Sequence, residues 1–151
     1  MTPPCWSKVL ADALSEALPE DNSRGDPQYL SRSALAICLA ANWADDKLLV
    51  TAIDCARGYW AGRVSEEERE NMRVKVVEQA EALRKQGLHF SPAWCKYALV
   101  MGSLDVRTPS NGFAADYLLD FALKAGVSLE VIRKALEANV PGLTAILALM
   151  G

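Results

Sequence analysis

The stretch Ala52–Glu68, AIDCARGYWAGRVSEEE, limits what this chain can fold into more than any other part of it. It reads as the end of one helix, a glycine stop at Gly62, and a new helix capped at Ser65. Glycine takes the left-handed backbone that ends a helix at little steric cost. Ser65 and Glu68 stand at the S-x-x-E spacing of a capping box, in which each residue's side chain satisfies the other's free backbone N–H. Glu66, Glu67 and Glu68 favour the positive start of the new helix, and Arg84 and Lys85 favour its negative end. Short connections of this kind set neighbouring helices antiparallel, up and down.

The same punctuation recurs along the chain. A first helix is expected from Thr2 or Pro3 to about Ala17, with proline favoured at the first helical position. Trp6, Val9, Leu10, Leu14 and Leu18 form its apolar stripe, and Pro19–Asp26 is a polar loop by turn chemistry. A second helix opens at Asp26-Pro27 and runs to about Trp43; its centre, ALAICLAA, is apolar all round, which predicts the central buried helix. In a third, from Asp45 to near Ala61, Leu48, Leu49, Ala52, Ile53, Ala56 and Trp60 recur at helical spacing. The fourth runs from Ser65 to about Gln86 on Met72, Val76, Ala80 and Leu83, and Gly87 ends it. Ser91-Pro92 opens a fifth carrying Trp94, Ala98 and Met101, and residues 105–111 form a loop. A sixth covers about Phe113 to Lys124; Gly126 stops it, and Ser128 caps a seventh that reaches about Asn139. Pro141-Gly142 breaks the chain before a short apolar tail. No strand, repeat or low-complexity tract stands out. The expectation is an all-α fold, a single-domain irregular helical bundle of about seven or eight helices spanning residues 1–151.

Length and composition agree with a packed core. A chain of 151 residues buries about 70% of its unfolded surface, and 51% of these residues are hydrophobic. Sixteen basic against 19 acidic residues give a net charge of −3, which argues against a general nucleic-acid binder. The cysteines at 5, 38, 55 and 95 match no clustered metal spacing, so free thiols are expected, with Cys38 and Cys55 as small core residues. The N-terminal MTPPCWSKVL lacks the pattern of a secretory signal, and no apolar run reaches membrane-spanning length, so a cytoplasmic location is expected.

Reactive constellations are not visible in the sequence. The one histidine, His89, lies in a loop, and its nearest cysteine in sequence is Cys95; a partly buried loop histidine is the simpler reading. A triad or dyad needs a nucleophile placed against its base, and a zinc site needs several His or Cys ligands at short spacing. Neither pattern is present, nor is a Glu-x-x-His pair or a phosphate loop. The expectation is a non-enzyme without metal or cofactor. Trp6, Trp60 and Trp94 fall on apolar stripes and read as core, while Trp43 sits at a helix junction. Residues 118–137, LLDFALKAGVSLEVIRKALE, fit the spacing of a DNA-binding helix-turn-helix through Ala122, Gly126, Val127 and Ile132. Arg133 and Lys134 in its second helix are offset by Glu130 and Glu137, and residues 87–151 carry five basic and five acidic side chains. Since phosphate neutralisation dominates DNA affinity, a regulator reading DNA with residues 118–139 is the alternative rather than the leading reading.

The run Ala52-Ile53-Asp54, Ala56-Arg57, Trp60, Gly62, Val64-Ser65, Glu67-Glu68 resembles a bacterial family of helical immunity proteins encoded beside polymorphic toxins. The family pattern is close to A-I-[DE]-x-A-R-x-W-x-G, then a hydrophobic residue, a serine and acidic residues. Here Tyr59 precedes Trp60, which puts the tryptophan one position late, and MRVKVVEQAEALRK replaces an alanine-rich helix with a histidine. The resemblance covers about residues 48–84. It implies a protein that binds and blocks a cognate toxin domain, and it carries over no functional residue.

If the first four helices run up and down, the loop 19–28 and the turn 62–65 lie at one end. That end would gather Glu20, Asp21, Asp26, Glu66, Glu67, Glu68 and Glu70 against Arg24, Arg63 and Arg69. Acidic surface of this kind steers a basic protein partner. Glu20, Asp21, Asp26, Glu66, Glu67 and Glu70 are therefore the candidate partner-binding residues, with the partner expected to be a basic toxin domain. The bland reading is that these acids cap a helix and solvate a loop.

Overall fold

The computed structural model describes residues 6–18, 28–107 and 112–150. Within them lie eight helices and no strand: α1 (Trp6–Ala17), α2 (Tyr29–Ala41), α3 (Lys47–Trp60), α4 (Glu66–Lys85), α5 (Pro92–Leu104), α6 (Gly112–Lys124), α7 (Leu129–Asn139) and α8 (Leu143–Met150). The all-α expectation holds, and the apolar tail after Pro141-Gly142 is itself a helix. The expected helix starts at Thr2 or Pro3 and at Asp26-Pro27, and much of the 19–28 loop, lie outside the described residues.

Glycine stops and serine starts organise the chain. At Gly62, Gly87 and Gly126 the backbone is left-handed, with φ of 80°, 79° and 89°. At each, the glycine N–H and the next N–H reach back into the last turn: Arg63 to Gly58 at 2.7 Å, Leu88 to Leu83 at 3.0 Å, Val127 to Ala122 at 3.0 Å. This double bond pattern closes a helix end and satisfies carbonyls that would otherwise be unpaired. Ser65, Ser91 and Ser128 then accept the N–H of Glu68, Trp94 and Val131 at 3.1, 3.2 and 3.3 Å, opening α4, α5 and α7. The capping box at α4 is only half formed, because the Glu68 carboxylate takes the Ser65 hydroxyl at 3.2 Å rather than a backbone N–H. Helix α2 stops one residue before Trp43, on Asn42 at φ 53°, a conformation asparagine adopts more readily than most residues.

Helices α2 and α5 form the centre. α2 packs on α3, α5, α6 and α7, and α5 on α2, α3, α4 and α6, while α1 lies against α6 and α8. Leu10, Leu14, Ile37, Leu49, Val76, Leu99, Val100, Ile132 and Leu136 fill the interior. The centre of α2 is buried as expected, though Leu39 in its last turn is exposed, so the helix is not covered all round. In α5 the covered face is Cys95, Leu99, Val100 and Leu104; Trp94 and Met101 stand at its margin. Cys38, Cys55 and Cys95 are free thiols, and Cys55 is only half-buried. Trp6 is 47% exposed and does not belong to the core. Among the described residues no helix is long and apolar enough to cross a membrane.

Candidate functional site

The end of the bundle that holds the turn 61–65 is built on the last carbonyls of α5 and those of the two residues that follow it. A helix C-terminus leaves carbonyls without intrahelical partners. Here side chains from three other helical segments supply donors: Trp60 Nε1 to Ser103 O at 2.9 Å, Arg69 to Leu104 O at 2.5 Å, Ser31 Oγ to Asp105 O at 2.8 Å and Gln28 Nε2 to Val106 O at 2.5 Å. The start of α2, the end of α3 and the start of α4 are thereby brought to one end, although α1 packs on α6 and α8 rather than beside α2 as up-and-down packing of the first four helices would have it.

Arg69 is the keystone. It is 6% exposed, and its guanidinium also meets Glu66 at 3.1 Å and Glu70 at 3.4 Å and lies 5.4 Å from the centre of the Tyr59 ring. Its Nε alone has no hydrogen-bond partner. Glu66 further accepts the Tyr59 hydroxyl. Glu70 is held by both donors of Arg73, at 2.9 and 2.6 Å. That hydrogen bond, with the charges of Arg73 and Arg69, holds the Glu70 carboxyl down at about 2, and the Tyr59 and Arg69 contacts lower that of Glu66. Of the candidate partner-binding residues, Glu66 and Glu70 are thus tied to arginines, whereas Glu67 is exposed and makes no ion pair among the described residues. Arg73 joins Arg63 and Arg69 as a cation at this end. Glu20, Asp21 and Asp26 lie outside the described residues.

At the other end of α4, about 30 Å away for a 20-residue helix, the sequence reading missed a surface. His89 stacks on Phe90 with ring centres 3.8 Å apart, Phe90 meets Trp94 at 5.1 Å, Trp94 meets Phe121 at 5.3 Å and Phe121 meets Tyr117 at 5.8 Å. His89 is exposed, not partly buried, and Phe90 is 45% exposed. Trp94 is half-buried here rather than core. The available signal was the tripeptide Leu88-His89-Phe90, squeezed between a glycine stop and a serine start with no helix face to bury it. Cys95 gives its thiol to Phe90 O at 3.7 Å, and burial pushes that thiol up, away from the thiolate a nucleophile requires. Among the described residues no three His, Cys, Asp or Glu side chains gather to hold a metal ion.

The helix-turn-helix segment forms a corner, with Ala122 and Ile132 buried and Gly126 left-handed. The outward cations of α7 are engaged within the helix, Arg133 with Glu137 at 3.6 Å and Lys134 with Glu130 at 3.4 Å. A groove of about 570 Å³ opens beside α7, lined by Trp6, Leu10, Leu129, Arg133 and Leu147 among others. No protein-family model, curated protein or solved structure matches this chain.

Proposed function

We propose that this chain is a non-enzymatic immunity protein that binds and covers a bacterial toxin domain, with the start of α4 as the contact surface. The carrying observation is the partnering of the carboxylates there. Glu66 is held by Tyr59 and Arg69, and Glu70 by Arg73 and Arg69, on an arginine that is itself rooted in the end of α5. Side chains already ordered before binding lose less entropy on contact. Glu67 stands between them with its charge uncommitted. A toxin that cuts nucleic acid presents cations that receive phosphates, and Glu67, with the exposed oxygens of Glu66 and Glu70 beside it, would meet the same cations. The immunity-protein resemblance over residues 48–84 covers this surface.

The test is co-purification with a toxin domain encoded beside this chain, repeated with Glu67→Lys and with Glu66→Gln/Glu67→Lys/Glu70→Gln. Neutral glutamines are used at 66 and 70 because lysine there would set a second cation against buried Arg69. The expected outcome is a stable complex, weakened about twofold to fivefold by the single charge reversal and further by the triple variant. A complex indifferent to all three changes would remove this end as the contact. Turnover of a substrate by the purified chain alone, lost on changing one side chain, would end the reading altogether.

A further inference from the structure

The far end of α4 holds a feature that the toxin-binding reading does not use. Phe90 adopts φ 63°, a left-handed backbone that costs a bulky residue on the order of 1–2 kcal/mol. The turn around it is tight: Leu88 O accepts the Ser91 N–H at 3.0 Å. Glycine or asparagine would sit there more easily. In return for the strain the ring is not buried; it stands 45% exposed between His89 and Trp94. Departures from local backbone preference of this kind concentrate where a surface is used.

The patch is rimmed by cations. Lys124 Nζ lies 5.3 Å from the centre of the Phe90 ring. Arg84 and Lys85 close α4 beside it. The two acids of the rim are already taken, Asp120 by Lys124 at 3.0 Å and Glu81 by Arg84 through both of its oxygens. Lys85 is exposed and makes no ion pair among the described residues. Three cations against two acids leave one positive charge, that of Lys85.

We propose that Phe90, Trp94 and Phe121, with the unpaired Lys85 at their rim, form a second docking surface, whose occupant is a protein segment with an apolar or aromatic anchor flanked by carboxylates. Aromatic anchors within a charged rim are the usual composition of an energetic interface centre. Lys85 selects the sign of the flanking residues, and a like charge brought against it would repel. This surface is independent of the carboxylates at the start of α4, so the two readings stand or fall separately.

The probes are nine-residue peptides titrated into the isotope-labelled full chain. One carries a central Leu-Phe flanked by glutamates, one the same centre flanked by lysines, one glutamates alone; a thymidine oligonucleotide is the fourth probe. The glutamate-flanked Leu-Phe peptide is expected to shift the Trp94 indole signal and the amides of 88–91 and 120–124, leaving the Trp60 indole and the start of α4 unmoved. Phe90→Asn should weaken that binding tenfold or more without loss of folding, because the strain is released together with the ring. Lys85→Glu should weaken it about twofold to fivefold. Equal binding of the lysine-flanked peptide, shifts elsewhere only, or no shift at millimolar peptide would overturn the proposal. Tighter binding of the oligonucleotide would assign the surface to nucleic acid instead. Dilution-dependent shifts of the same signals without peptide would assign it to a second copy of the chain.

Discussion

Gly58 offers a prediction whose sign depends on its neighbour. It sits near the end of α3, buried, and its carbonyl accepts the Arg63 N–H at 2.7 Å. A Cβ added to it would lie 2.7 Å from Val64 Cγ2, too close for two carbon atoms. Valine is branched at Cβ and stiff, so it cannot swing away freely. Overpacking of this kind costs about 1–3 kcal/mol. Against it, alanine in place of glycine within a helix gains up to about 1 kcal/mol. Gly58→Ala should therefore destabilise the protein by roughly 1 kcal/mol in its natural background. In a Val64→Ala background the clashing methyl is gone, and only the propensity gain is left. There the same change should stabilise by about 0.5–1 kcal/mol. Guanidinium unfolding of the four proteins, followed by helical circular dichroism, closes the cycle. Gly58→Ala having the same sign in both backgrounds would refute the packing argument.

Three further outcomes are expected. Arg69→Met keeps the bulk but removes the donor to Leu104 O, so it should destabilise by about 2 kcal/mol in denaturant, the worth of a charged hydrogen bond. Arg73 and Arg69 hold the Glu70 carboxyl down to about 2 against an ordinary 4.5, so its contribution is complete above 4.5 and disappears as pH falls toward 2; Glu70→Gln should make thermal stability fall less steeply across that acid window, leaving the share of Glu66 and Glu81. With Arg133 and Lys134 committed to Glu137 and Glu130, duplex DNA should keep its free mobility in a gel shift at 50 mM salt; a salt-sensitive complex lost on Arg133→Ala would contradict this.

The helix boundaries were legible wherever backbone chemistry marks them. Gly62, Gly87 and Gly126 with Ser65, Ser91 and Ser128 state the ends of α3, α4 and α6 and the starts of α4, α5 and α7 in the residues themselves. The covered face of α5 was not legible. Pro92–Leu104 is apolar nearly all round, so periodicity has nothing to choose between, and neighbours on several sides decide that Cys95 and Leu99 go in while Trp94 stays at the margin. Trp6 was misplaced for a related reason: an aromatic on an apolar stripe is covered only if the next helix reaches it, and α8 leaves it beside an open groove. Of the candidate site, the acids were legible but their arginine partners only in part. Nothing in the polar sequence of α4 says that Arg69 turns inward, because the carbonyl it caps belongs to a helix 35 residues further on. The aromatic surface depends on α6 reaching the 88–91 turn, a meeting no local pattern records.

The position of α1 has a consequence for synthesis. Its principal partners are α6 and α8, and α6 begins 95 residues after α1 ends, counting from Ala17 to Gly112. At about 5–20 residues per second, the nascent chain carries Leu10, Ala13 and Leu14 uncovered for roughly 5–20 seconds before the ribosome delivers the surface that hides them. Slower translation should then lengthen that exposure and raise the chain's demand for chaperones.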